Sequence, residues 1–340
     1  MTVHVYVHDA RGHQSPGHPE RPERVAAIAE ALRGAPGVEF VRDWRPLRGE
    51  DCLSVHDEAM LARTRDLAAG GGGFLDADTY VTGTTWGDAL RAAGAVVDAV
   101  DAVMRGRASG AFCAVRPPGH HATPSRAMGF CVLNNVALAA EHALRRRLAK
   151  RVLVLDHDVH HGNGTQDVFY GRGDVLYQSF HLWPHYPGTG RVEETGEGDG
   201  EGFTVNAPLP FGAGDAEVAT LFDEVFLPVA RTFRPDLVLV SAGFDSHRDD
   251  PLGGLALTSR GYGWMAAKLR ELSPNVVCVL EGGYVPRAVA SGARVEVEVL
   301  ISNNVPEAAP APSRDARLLE RCRQVILDLR RVHGSRWRFA

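Results

Sequence analysis

The densest group of ionisable side chains in the sequence lies within residues 156–161. Asp156, Asp158 and His160 alternate along this segment, which follows an apolar run at 152–155. Alternate residues of an extended chain point to the same side, so Asp158 and His160 can ligate one cation together. Burying charged groups is costly unless they are paired or bound to a metal. The cluster therefore predicts a metal site rather than a packing feature.

A third ligand is available at a similar position elsewhere in the chain. Asp245 follows the apolar run at 237–240. Two carboxylates and one imidazole leave a coordination position open on a zinc ion, which is typical of a catalytic site. Such an ion lowers the pKa of a coordinated water towards about 7. A salt-bridged network or a helix cap built from the same residues is the alternative interpretation.

Two further segments carry groups suited to acid–base chemistry. His120 and His121 follow the rigid sequence Arg-Pro-Pro-Gly, and adjacent histidines on a turn point in different directions. One can then act as a base while the other assists it electrostatically. Tyr284 follows two glycines, and its phenol can donate a hydrogen bond to a developing oxyanion. An incidental histidine pair and a packed tyrosine are the alternatives.

The polar segments follow short, continuous apolar runs that are separated by helical patterns. This alternation predicts an α/β fold whose parallel sheet is covered on both faces. Ligands bind outside the carboxyl ends of such strands, so the polar segments should converge there. The predicted strands are residues 3–8, 111–115, 152–155, 175–180, 237–240 and 276–280. The predicted helices are residues 22–33, 88–104, 135–149, 216–232 with an interruption at Pro228, and 315–331, the last one after a Pro/Ala-rich linker at 303–313.

The composition excludes several classes of protein. The chain has 340 residues, 44% of them hydrophobic, which suffices for one large α/β domain or two small ones. Its net charge of -5 comes from interspersed charges, which argues against nucleic-acid binding. No apolar run approaches the roughly 18 residues of a membrane span, and the cysteines lack CxxC spacing. We therefore expect a cytoplasmic protein with reduced thiols and no membrane association.

The order of the motifs resembles that of the zinc-dependent histone deacetylase superfamily, which also contains acetylpolyamine amidohydrolases and acetoin-utilisation proteins. The matching segments are HPERPER at 18–24, LDADTY at 75–80, RPPGHH at 116–121, GFC at 129–131, DHDVHHGNGTQD at 156–167, YPGTG at 186–190, GFD at 243–245 and LEGGY at 280–284. The resemblance covers residues 1–290. It implies a single domain over residues 1–340 with the arginase/deacetylase fold, in which a parallel sheet of about eight strands is flanked by helices. A strap and helix would follow over residues 291–340.

The resemblance also implies a role for each candidate residue. The zinc ligands would be Asp158, His160 and Asp245. The catalytic group would comprise the general base His121 with His120, Asp156 and Asn163, and Tyr284, which would polarise the scissile carbonyl. The substrate contacts would be Gly129, Phe130 and Tyr186 in an acyl-lysine tunnel, Asp78 and Leu252 at its rim, and Arg21 in an internal pocket. Potassium would bind at Asp156, Asp158, His160, Ser179 and Phe180, and a second monovalent cation at Phe169, Arg172, Val175 and Phe203.

Two positions indicate the branch of the superfamily and the substrate. Asn163 stands where some members carry an aspartate behind the base, which indicates a class II-like branch. An amide cannot stabilise an imidazolium by charge, so the pKa of His121 should be lower than in an aspartate-paired site. Leu252 falls where polyamine-selective relatives can carry a gatekeeping acid.

The predicted activity is therefore removal of acetyl or other acyl groups from lysine side chains of proteins or peptides, with release of acetate. The alternative substrate is an acetylpolyamine or another small acetylated amine. Two further alternatives are a non-catalytic acyl-lysine binder and an arginase-like dimetal hydrolase. The sequence offers only His157 and His161 as spare ligands for a second metal.

Overall fold

A computed structural model of the protein describes residues 2–302, 313 and 315–339. The strands of this part of the chain are β1 (Val3–His8), β2 (Val38–Val41), β3 (Gly72–Phe74), β4 (Tyr80–Thr82), β5 (Gly110–Val115), β6 (Val152–Asp156), β7 (Val175–Leu182), β8 (Thr204–Leu209), β9 (Leu237–Ala242) and β10 (Val276–Leu280). Eight of them form one parallel sheet in the order β2-β1-β5-β10-β9-β6-β7-β8, and β3 and β4 form a separate antiparallel hairpin. The predicted α/β fold is confirmed.

The helices cover both faces of this sheet. They are α1 (Glu23–Ala31), α2 (Glu58–Ala69), α3 (Thr85–Met104), α4 (Asn135–Arg145), α5 (Asn163–Phe169), α6 (Asp215–Leu221), α7 (Leu227–Phe233), α8 (Ser259–Leu272), α9 (Pro286–Ser302) and α10 (Ala316–His333). Alternate strand residues enter different apolar cores, as Phe112 and Cys113 of β5 do. Helices α1, α8 and α9 contribute to one core and α2, α3 and α4 to the other. None of the described helices combines the length and hydrophobicity that a bilayer span requires.

The strand order explains why the polar segments converge. Strands β5, β10, β9, β6 and β7 are consecutive neighbours in the sheet, and all run in the same direction. Each is followed by one of the predicted polar segments, so five such segments meet at one edge. The predicted convergence of the polar segments at the carboxyl ends of these strands is confirmed.

Several elements differ from the sequence prediction, and each has a local cause. The edge strands β2 and β8 were not predicted because β2 is short and partly exposed and β8 contains Pro208. Residues 216–232 stay helical, but a π-helical turn at Phe222–Phe226 precedes Pro228, which lacks an N–H to donate. Residues 291–302 are not a strap, since they belong to α9, which packs on α1 and α8. The predicted linker lies almost wholly outside the described residues.

A buried histidine joins the segment before α2 to the start of α4. His56 is 2% exposed, and its Nε2 accepts a hydrogen bond from the backbone N–H of Asn134 at 2.9 Å. The remaining Nδ1–H therefore donates to the carbonyl of Thr123, also at 2.9 Å. Asn134 in turn caps α4 by accepting from the N–H of Ala137. Burial of the imidazole lowers the pKa of His56 to about 4.

This lowered pKa predicts a loss of stability in acid. The unfolded chain binds the proton more tightly than the folded one, so the contribution of His56 is complete above about pH 6.5 and falls towards pH 4. We expect this group alone to remove up to about 3 kcal/mol over that range. Urea titrations at several pH values should show a shallower acid limb for His56→Gln than for the wild type. The same pH dependence in both proteins would contradict this assignment.

Candidate active site

Asp158, His160 and Asp245 meet at the carboxyl ends of β6 and β9. The Nδ1 atom of His160 lies 3.0 Å from Asp158 Oδ1 and 3.2 Å from Asp245 Oδ2. One ligand atom from each residue lies within 4.8 Å of the other two. Because His160 Nδ1 hydrogen-bonds to Asp158 Oδ1, the buried Asp245 Oδ2 beside it has no hydrogen bond of its own among the described residues. The three side chains thus fit a single zinc ion as the predicted set of ligands.

The charges at this site favour a bound cation. Burial opposes protonation of His160, but Asp158 and Asp245 outweigh it and raise the pKa of His160 to about 10. The backbone beside them approaches closely, because Gly282 donates its N–H to Asp158 Oδ2 at 2.8 Å. A Cβ atom at this glycine would lie 2.0 Å from Asp245 Oδ2 and 2.6 Å from Asp158 Oδ2. Only glycine fits between the two carboxylates.

His121 is held as a neutral imidazole with one nitrogen committed. Its Nδ1–H donates to Asn163 Oδ1 at 2.9 Å, which leaves Nε2 as the proton-accepting nitrogen. Burial lowers the pKa of His121 well below its usual value, and the neighbouring His120 and His160 lower it further. The low pKa expected at this position is present, although burial is its main cause. This is the arrangement that a general base requires.

The adjacent His120 is held in the opposite protonation state. Its Nδ1 donates to Asp156 Oδ2 at 3.1 Å. Burial disfavours its charge, but Asp158 and Asp156 prevail and raise the pKa of His120 to about 10. The ring centroids of His120 and His121 are 4.0 Å apart. Two neighbouring imidazoles with pKa values displaced in opposite directions are suited to accept and to donate a proton.

Aromatic rings line the approach to these groups. Tyr186 packs edge-on against His121, with centroids 5.1 Å apart, and Phe130 packs edge-on against Tyr284 at 6.0 Å. Gly129 lies between the walls with φ +57, and a Cβ atom there would be 2.5 Å from the His121 ring. The arrangement agrees with a narrow tunnel for an extended side chain.

The two predicted rim residues lie on exposed loops. Asp78 is exposed, in a loop where Asp76 Oδ1 accepts from the N–H groups of Asp78 and Thr79. The Thr79 hydroxyl accepts from the N–H of Phe130, which connects this loop to the tunnel wall. Leu252 is 38% exposed on the loop after β9. Both positions are therefore accessible to a substrate.

The prediction of Arg21 as the internal-pocket residue is wrong. Its side chain is half exposed and lies 3.9 Å from Glu23. Arg24, three residues later, is buried instead, and its Nε donates to the carbonyl of Gly283 at 2.5 Å. Its guanidinium also lies 5.2 Å from the centre of the Tyr284 ring. Arg24 faces inward because it lies on the buried side of α1 with Val25 and Ile28, whereas Arg21 precedes the helix.

The spare histidines already have other partners. His157 donates from Nδ1 to the carbonyl of Gly243 and from Nε2 to Glu296, both at 2.9 Å. His161 contacts the Thr189 hydroxyl and Gln166 Oε1. Neither histidine is directed at the metal ligands, so the described residues do not support the dimetal alternative. A second group, His120, Cys131 and Glu281, is close enough to hold an ion, but the backbone N–H groups of residues 119 and 120 already bind Glu281.

The predicted monovalent sites stay predictions. Asp156 and Ser179 are register partners on β6 and β7, so the proposed potassium ligands at 156–160 and 179–180 are adjacent. At the second position, Arg172 extends over the Phe169 ring and pairs with Asp174 and Glu141. The second predicted cation site therefore already contains the positive charge of a guanidinium group.

Sequence reasoning missed the charged network beneath Tyr284. Glu20 is fully buried between two arginines: Oε1 accepts from Arg24 Nη1 at 2.9 Å and from Arg116 Nε at 2.5 Å. Burial opposes ionisation of Glu20, but Arg116 and Arg24 overcome it and lower its pKa to about 2. The spacing of Glu20 and Arg24, four residues apart across a proline, was the available signal.

Removing this buried carboxylate should destabilise the protein. Glu20→Gln leaves two buried guanidinium groups without their counter-charge, which we expect to cost about 3–5 kcal/mol of unfolding free energy. Glu30→Gln is the matched control, because the Glu30–Arg33 pair is 70% and 74% exposed, and it should cost less than about 1 kcal/mol. Denaturant unfolding measures both. Equal effects of the two substitutions would show that the network contributes no more than a surface pair.

Comparison with known proteins agrees with this site. The histone deacetylase domain model matches residues 18–300. A probable deacetylase of Archaeoglobus fulgidus is 39% identical over 345 residues, which are 96% of this chain and 95% of that protein. Histone deacetylase 10, chloroplastic, of Oryza sativa subsp. japonica is 42% identical over 300 residues, 81% of this chain and 68% of that protein. The crystal structure of the HDA15 HD domain matches with a TM-score of 0.90 at 35% identity, over 99% of this chain and 97% of that one.

These matches define the family and leave the location open. Histone deacetylase 14 of Arabidopsis thaliana is also named chloroplastic, so a cytoplasmic location stays a prediction. The family model spans well over half of the chain, and the relatives align across most of it. The chain belongs to the histone deacetylase family, which indicates a deacetylase hydrolase.

Proposed function

We propose that this protein is a zinc-dependent hydrolase that removes acetyl groups from lysine side chains of proteins or peptides. The observation that carries the proposal is that His121, whose Nδ1–H is bound to Asn163, lies next to the Asp158–His160–Asp245 triad, with its ring centroid 5.9 Å from that of His160. A metal-ligand set beside a neutral imidazole is the arrangement needed for hydrolysis of an unactivated amide. Potassium at Asp156 and Ser179 and a cytoplasmic location belong to the same proposal.

The proton transfers follow from the protonation states of the two histidines. When bound, zinc supplies Lewis-acid polarisation of the amide carbonyl and makes water more acidic. His121 Nε2 accepts the proton of the attacking water, because its Nδ1–H is committed to Asn163. The resulting positive charge is tolerated because Asp156 and Asp158 lie beside its neighbour His120. A protonated histidine then delivers a proton to the leaving amine, and acetate and the free amine depart.

Tyr284 stabilises the negative charge that develops on the carbonyl oxygen. Burial raises the pKa of its phenol well above the usual value, and Asp245 adds to this effect. The phenol therefore stays protonated and able to donate at neutral pH. A donor fixed in advance costs no reorganisation when the charge appears.

The walls and the rim favour an acyl-lysine substrate. Phe130 and Tyr186 offer ring faces and edges to the apolar methylene chain of a lysine. Leu252 at the rim presents no charge to a second ammonium group, which an acetylpolyamine would carry. Exposed Asp78 can accept hydrogen bonds from the backbone N–H groups of a peptide.

A comparison of substrates tests this proposal. We expect the zinc-loaded protein to hydrolyse an acetyl-lysine peptide with a kcat/KM at least about tenfold above that for N-acetylputrescine, a difference of about 1.4 kcal/mol. Acetate release measures both reactions, and a hydroxamate-inhibited sample provides the background. Leu252→Glu should shift the preference towards the polyamine. A preference of the wild type for N-acetylputrescine would instead support the small-amine alternative.

Replacing the phenol separates catalysis from metal binding. Tyr284→Phe removes one donor to the oxyanion, so turnover should fall by about 100–1,000-fold. The zinc content should stay at one ion per chain by metal analysis, because the three ligands are untouched. His161→Asn serves as a control that removes an imidazole bonded elsewhere. Near-wild-type turnover of Tyr284→Phe would exclude the role given to this residue.

A further inference from the structure

The loop after β9 carries a second buried aspartate that the metal site does not use. Asp250 is 8% exposed. Its Oδ1 accepts from the backbone N–H of Leu252 at 3.0 Å, and its Oδ2 accepts from the backbone N–H of Tyr284 at 2.6 Å. One carboxylate thus binds a backbone N–H of its own loop, at the rim, and a backbone N–H of the loop after β10, beside the metal ligands.

The segment before Tyr284 depends on such backbone contacts for its position. Gly282 and Gly283 have no side chains that pack, and Gly283 adopts a φ of +106. The available contacts alternate along the chain. Carbonyl groups of residues 281 and 283 accept from Arg24, whereas the N–H groups of residues 282 and 284 donate to Asp158 and Asp250. The peptide group that joins residues 283 and 284 is therefore held from both sides, by Arg24 at its carbonyl and by Asp250 at its N–H.

The carbonyl of Leu252, in the loop after β9, is bound by a second residue. His185 Nε2 donates to the carbonyl of Leu252 at 3.1 Å. The His185 ring stacks on that of the zinc ligand His160, with centroids 4.9 Å apart and planes inclined by 16°. Leu252 is thus held through its N–H by Asp250 and through its carbonyl by His185. The rim and the phenol share one anchoring carboxylate.

We propose that Asp250 is a positioning residue that sets the Tyr284 phenol and the Leu252 rim in one fixed relation. Its catalytic consequence rests on the function proposed above, whereas its structural part does not. A displacement of about 1 Å in a catalytic group can cost about 100-fold in rate. Losing the Asp250 contact should therefore reduce turnover through Tyr284 while the metal ligands stay in place.

A double-mutant cycle tests whether Asp250 acts through the phenol. In Asp250→Asn, an amide N–H₂ replaces one carboxylate oxygen and cannot accept from a backbone N–H. We expect kcat to fall by about 10–100-fold, with zinc content unchanged and a smaller change in KM. In the Tyr284→Phe background the same substitution should change kcat by less than about twofold. An equal loss in both backgrounds would overturn the proposal, since a general structural defect would not depend on the phenol.

The neighbouring Asp249 provides a matched control. Its side chain is 43% exposed and lies 3.6 Å from Arg287. Asp249→Asn removes one negative charge from the same loop, as Asp250→Asn does. The Asp249 side chain makes none of the contacts with Tyr284 or Leu252 described above. It should leave kcat within about twofold of the wild type. A loss as large as that of Asp250→Asn would assign the effect to the charge of the loop and overturn the positioning role.

Hydrogen exchange gives a readout that does not depend on activity. In the wild type, the amide of Tyr284 should exchange more slowly than an unprotected peptide amide, and Asp250→Asn should accelerate exchange at Tyr284 and Leu252. Unprotected exchange at Tyr284 in the wild type would overturn the proposal even if the variant fails to fold. If the wild type hydrolyses neither test substrate, the proposed function fails, and the exchange data still decide the anchoring role.

Discussion

The burial of negative charge at one edge of the sheet is the constraint on which the site depends. Asp156, Asp158, Asp245 and Glu281 are all fully buried where β6, β9 and β10 end. Carboxylates cannot stay ionised in such a place without compensation. Histidines and backbone N–H groups supply part of it, but Oδ2 of Asp245 receives no hydrogen bond from the described residues. The divalent cation proposed above would supply the missing positive charge.

A positive cluster next to this edge orients the chain that carries the phenol. Arg24 and Arg116 share Glu20, and Arg24 also draws the carbonyls of residues 281 and 283 towards itself. The N–H groups of the same strip face the carboxylates of Asp158 and Asp250. The peptide dipoles of residues 281–284 therefore lie between fixed charges of opposite sign. A glycine-rich strip without packing side chains acquires a defined position in this way.

The sequence predicts the central part of this arrangement well because the signals are local. Continuous apolar runs predict the buried strands, and the polar segments that follow them predict the candidate site residues. The edge strands β2 and β8 escape prediction because their patterns are short or interrupted by proline. The inward residue of HPERPER was misassigned because the motif alone does not tell which arginine faces the core. Asp250 was missed because its contact with the N–H of Tyr284 joins backbone and side chain 34 residues apart, which only the folded structure brings together.

The buried residues of the site and the exposed residues at its rim have different proposed tasks, namely proton transfer and recognition of the substrate. In the proposed mechanism the groups that would transfer protons are buried and held by hydrogen bonds, so we expect substitutions there to alter the rate rather than the substrate preference. Asp78, Tyr186 and Leu252 are exposed, and their identity is free to vary without disturbing the buried charge balance. Asp250 connects the interior to the rim, since its carboxylate binds the backbone N–H of the rim residue Leu252 and that of Tyr284. Because these bonds involve only backbone N–H groups, the side chain at position 252 can change while the phenol keeps its place.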